Sequence, residues 1–196
     1  KNVKKIIWTY SEWNDLIDIT FEFNNPILRK YYSNKNYLQN LKEKQNIIDG
    51  IGNKIIEKNN NIYLQSHFKN FIKNFIFLNN TRYLISKKTN FYIPEENFII
   101  LENILLEFVR FSKKNNSIPY FVYMPSIDTF NNNINKANYH KIIKIINKLD
   151  IKFIDIRSEV IKDKITIKSL FPYGLPGHYS GKGYKYISDK IYQKTN

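Results

Sequence analysis

Cysteine is absent from the 196 residues. That excludes a disulfide framework, a thiolate metal centre and a cysteine nucleophile. Glycine and proline number six each, too few for a collagen-like or linker-type chain. Alanine occurs once, at Ala137. No apolar run reaches the ~18 residues needed to span a bilayer, so no membrane association is expected. No secretory signal opens the chain. The three histidines are scattered and no His/Asp/Glu cluster has ligand spacing, so neither a metal nor another cofactor is implied. The first residue is Lys1 rather than Met, and the expectation is that the natural N-terminus lies upstream.

What is present is aromatic and apolar. Hydrophobic residues make up 42% and aromatics 16%, with 15 Tyr and 14 Phe, which excludes a disordered chain and suits a single packed domain. Lys plus Arg total 31 against 17 acids, a formal charge of +14. A nucleic-acid partner is nevertheless not expected. The cations occur as scattered pairs such as Lys4-Lys5, Lys87-Lys88 and Lys113-Lys114, without a basic block. The excess of Lys, Asn and Ile matches what an AT-rich coding sequence produces.

Three short apolar runs read as buried strands: residues 4–10, Ile118 to Met124, and Ile151 to Ile156. Between and after them lie helical patterns. Leu16 to Phe23 is a short helix, and Pro26 opens another carrying Tyr31 and Tyr32. Tyr37 to Glu57 is a longer one, weakened by Gly50 and Gly52. Tyr63 to Leu78 carries an apolar stripe with His67 on its surface. Pro94 starts the clearest helix, to about Lys113, with Ile99, Ile100, Leu101, Ile104, Leu105, Phe108 and Val109 on its apolar face. Asn131 to Asn135 reads as a low-complexity loop. Tyr139 to Leu149 is a helix with His140 outward. A polar loop follows the third strand, and Gly181 to Tyr192 is the last helix. Strands alternating with helices indicate an α/β fold with a parallel sheet. The region of about 24–114 is then a helical insertion.

In such sheets chemistry gathers at the carboxyl ends of the strands. After the first strand comes Glu12-Trp13-Asn14-Asp15. After the second comes Pro125-Ser126. The loop after the third ends in Leu175-Pro176-Gly177-His178-Tyr179-Ser180-Gly181-Lys182-Gly183. Glu12 to Asp15 resembles the Gly-x-Asn-Asp block of SGNH (GDSL-type) hydrolases. Leu175 to Gly183 resembles their Asp-x-x-His block, with the glycine five residues after the histidine. Tyr10 to Leu16 and Leu170 to Tyr179 are also similar to bacterial members of that family.

The resemblance implies a three-layer α/β/α sandwich of flavodoxin-like topology, seen here without its first strand and helix. It implies a serine esterase or acyl-transfer enzyme acting on an O-acyl ester, such as an acylated carbohydrate. His178 would be the general base and Asn14 an oxyanion donor. Trp13 and Tyr179 would line the substrate pocket. The family's Gly-Asp-Ser block does not occur, the Asn block lacks its glycine, and Leu175 stands at the triad-acid position. Glu12 and Asp155 are alternative carboxylates to orient the imidazole, and Asp15 a support for the turn. Ser11, Ser126 and Ser180 sit in no serine-activating motif. A non-catalytic domain of the same fold, binding a glycan or a protein, is the alternative reading. The sequence does not assign a compartment.

Overall fold

The computed structural model describes residues 3–34, 36–58, 93–130 and 133–196. The chain divides into two compact units, Lys1–Tyr32 with Ile93–Asn196, and Ser33–Tyr92. The first is an α/β unit. Strands β1 (Lys5–Ser11), β2 (Ile118–Met124) and β3 (Lys152–Asp155) form a parallel sheet in the order β1-β2-β3. Helices α1 (Asp15–Asn24) and α2 (Leu28–Ser33) follow β1. In the second unit, residues 45–58 form α3. Then come α4 (Glu95–Lys114), α5 (Asn133–Lys148), α6 (Ile156–Lys162) and α7 (Gly181–Thr195).

The central strand explains the layering. Phe121, Val122 and Tyr123 are fully buried, as a parallel strand covered on both faces must be. Burial of side chains this size stabilises by roughly 1.5–3 kcal/mol each. Phe121 and Tyr123 join Ile6, Trp8 and Tyr10 of β1 in one core, packed by α1, α4 and α5. Tyr120 and Val122 join Ile154 in a second core, packed by α6 and α7. Tyr10 stacks on both Phe121 and Tyr123, with ring centroids 5.5 and 5.6 Å apart.

The pairing register brings the strand ends level. Ser11 lies opposite Met124, and Tyr123 opposite Asp155. The segments that follow the strands therefore start from one end of the sheet. The outer edge of β1 has no partner strand among the described residues, and Ile7 on its α7-side face is exposed. Asp15 accepts from the Ser11 backbone N–H at 2.9 Å, where β1 ends.

Several local expectations change. The helix read from Tyr37 starts at residue 45, because Asn40 adopts positive φ and residues 41–44 form turns. Ile99 is 59% exposed. The rest of the expected face holds: Ile100, Leu101, Leu105, Phe108 and Val109 are buried and Ile104 packs against the core, with Phe98 and Ser112 added to the buried stripe. The loop read over Asn131 to Asn135 gives way to helix at Asn133. The third strand ends at Asp155 rather than Ile156, and α6 replaces the polar loop read after it. Asp155 caps α6 by accepting from the Arg157 backbone N–H. Lys190 and Lys194 of α7 pair with Glu159 of α6, and Lys190 also with Asp163 beyond it, which fastens α7 to α6. The stripe read over Tyr63 to Leu78, and His67 with it, lies outside the described residues. No helix among the described residues is long and apolar enough to cross a membrane.

Candidate active site

The turn after β1 is held to the turn after β2 by Glu12. Its Oε2 accepts from the Ser126 backbone N–H at 2.8 Å and from the Thr129 hydroxyl. The Thr129 hydroxyl also lies 3.0 Å from that of Ser126. The other oxygen, Oε1, and the Tyr123 hydroxyl are both buried without a well-formed hydrogen bond, and Tyr123 lies close enough to pull on the carboxyl. Burial is the main reason the Glu12 carboxyl is pushed up to about 7, against the opposing pull of the Ser126 N–H, Tyr123 and Arg157. Burial also raises the Tyr123 phenol, with the Glu12 charge adding to it.

The histidine loop reaches the same sheet end through Tyr179. Its hydroxyl donates to the Pro125 carbonyl, and its ring stacks on Phe171 at 4.4 Å. Gly177, with φ of 138°, precedes His178, in a backbone region that side chains disfavour. The loop is closed at its base. The Leu170 carbonyl accepts from the Ser180 backbone N–H at 2.9 Å and from its hydroxyl at 3.0 Å. The Ser180 hydroxyl in turn caps α7 by accepting from Gly183 N–H.

Gly183 has a steric reason to be glycine. A Cβ there would lie 2.3 Å from the Leu170 carbonyl oxygen. Gly183→Ala is expected to destabilise the fold by about 1–3 kcal/mol through overpacking, read as a lower Tm in thermal unfolding. An unchanged Tm would show that the loop base can give way.

The individual residues differ in how far they are committed. His178 is exposed and makes no hydrogen bond among the described residues. Asn14 stands at the N-cap position of α1, but its side chain does not cap. It donates to Asp18 at 2.6 Å, which fixes the amide and leaves its second N–H unspent. Asp15 ties its own turn through Ser11. Asp155 is occupied by Tyr139, Ser158 and the Arg157 backbone, so its carboxylate is spent within its own surroundings. Trp13 is 44% exposed beside Glu12, whereas Tyr179 is buried. Leu175 is exposed at the loop tip.

The structure therefore joins Glu12 to Ser126 and Thr129, and Tyr179 to Pro125. No carboxylate is bonded to His178 among the described residues. Thr129 and Tyr123 were not legible as site residues. The only signal was a Ser-x-x-Thr spacing directly after a strand. Comparison with family models, with curated proteins and with solved structures gives no match.

Proposed function

We propose that the chain is the later part of an SGNH-type three-layer α/β/α domain. In this reading the complete protein hydrolyses an O-acyl ester, or transfers its acyl group, by a serine–histidine mechanism. A carbohydrate O-acyl group is the favoured substrate. The observation that carries the reading is convergence. The Asn14 turn and the Tyr179 end of the His178 loop both anchor to the segment after β2, at the end where parallel sheets keep their chemistry.

The chemistry follows from the residue types. His178 takes the proton from a serine hydroxyl as that oxygen bonds to the acyl carbon. It returns the proton to the departing alcohol as the ester C–O bond breaks. Water, or an acceptor alcohol, then repeats the sequence on the acyl-serine. The free N–H of Asn14 donates to the carbonyl oxygen as it gains charge. The imidazole, exposed and unpaired among the described residues, suits a base that must meet a nucleophile. The edge of β1, unpartnered among the described residues, offers a place for a strand that carries the serine.

One feature favours the non-catalytic alternative: Leu175 stands at the acid position and no carboxylate is bonded to His178 among the described residues. The test is fluorophosphonate labelling of the complete natural protein, with the modified residue located by mass spectrometry. Labelling of a serine other than Ser11, Ser126 and Ser180 is the expected result. An intact, folded protein that takes no label would replace the enzyme with a binding domain.

A further inference from the structure

We propose that Arg157 is a recognition site for an anionic group, a carboxylate or a phosphate, on the ligand this protein binds. Arg157 follows β3 at the same sheet end as Glu12. Its guanidinium lies over two rings, 5.0 Å from the centroid of Tyr139 and 5.8 Å from that of Phe130. Cation–π contact with two rings confines the guanidinium to a small region.

Arg157 forms no side-chain hydrogen bond or ion pair among the described residues, and its Nε is buried without a partner. A buried, unsatisfied donor is destabilising, so an arginine kept only for packing would be expected to use it. Its natural partner is Asp155, two residues earlier. That carboxylate takes the Tyr139 and Ser158 hydroxyls and the Arg157 backbone N–H instead. Glu12 feels the positive charge of Arg157 but is not within ion-pair distance. The result is a half-buried cation beside the candidate site whose outer donors have no partner among the described residues. A carboxylate or phosphate matches the guanidinium fork in charge and geometry. The location borrows from the site described above, but the inference does not need catalysis.

The test reads binding alone. The Arg157 Nε–H resonance of the complete protein is followed by NMR during titration with inorganic phosphate and, separately, with acetate, at constant ionic strength set by chloride. A saturable shift is expected with at least one of the two, and the tighter probe identifies the anion class. Arg157→Lys keeps charge and stem but loses the fork, and should weaken binding about tenfold or more. Arg157→Gln should remove it. A resonance that moves no more than in chloride would overturn the proposal. So would a folded Arg157→Lys variant that binds as tightly as the parent. An active enzyme with an anion-blind Arg157 would leave the acyl-transfer reading standing and remove only this one.

Discussion

Replacing His178 by alanine should lower kcat for a model acyl ester by ~10³-fold or more in the complete protein, while Tm stays within about 1 °C. The two halves of this expectation rest on different observations. The loss of rate follows because no other histidine is within the loop, and a serine hydroxyl is a poor nucleophile until a base takes its proton. The unchanged Tm follows because the imidazole is exposed and makes no hydrogen bond among the described residues. Nothing in either core leans on it. Steady-state kinetics and thermal melts on the same preparation check both. Full activity would remove His178 from the chemistry. A collapsed Tm would mean that the loop needs the imidazole for its shape.

Replacing Glu12 by glutamine should stabilise the protein above neutral pH, by up to about 3 kcal/mol, and flatten its pH dependence. The Glu12 carboxyl rises from its ordinary value of 4.5 to about 7 on folding, chiefly through burial. The folded state therefore holds this proton more tightly than the unfolded one. Stability from this group is fully present below about pH 4.5. It falls as pH rises toward 7, and is flat beyond. The groups that face the carboxyl are Tyr10 and Tyr123 of the sheet, Ser126, Thr129, Arg157 and Tyr179. Among them only Arg157 offers a positive charge. Glutamine keeps an oxygen for the Ser126 N–H and the Thr129 hydroxyl and has no charge to bury. Denaturant unfolding at pH 5 and pH 8 measures the difference. Equal pH slopes in both proteins would mean that Glu12 titrates normally. A carboxylate kept where an amide would be more stable is what a functional site leads one to expect.

The sheet was readable because its strands are short apolar runs with firm ends. Ile118 to Met124 stops at Pro125, and its observed bounds coincide with the expected ones. The strand-end turns could be located for the same reason. Less visible were elements whose cause is long-range. Helix α6 has only Ile156, Val160 and Glu159 buried, too few to show a stripe, and its polar residues resemble a loop. Asn97 looks like a solvent-facing residue. It is buried because its amide donates to the Leu16 carbonyl and the Thr20 hydroxyl of α1, a pairing of distant segments that no local pattern encodes. Arg157 belongs to the same class. Its significance comes from the rings it meets and from a carboxylate already occupied by others.

The base of the histidine loop has a meaning for how such a protein could diversify. Leu170 and Ser180 meet through two hydrogen bonds, so the nine residues between them leave and re-enter the fold at nearly one point. Phe171 and Tyr179 are packed down at the two ends, while Tyr173 at the crown is 97% exposed. A segment of this form behaves as a detachable module. Its tip can be lengthened, shortened or rewritten without the sheet registering the change. Variation at 173–176 is therefore a route to a new partner for the imidazole that leaves the scaffold's stability almost untouched.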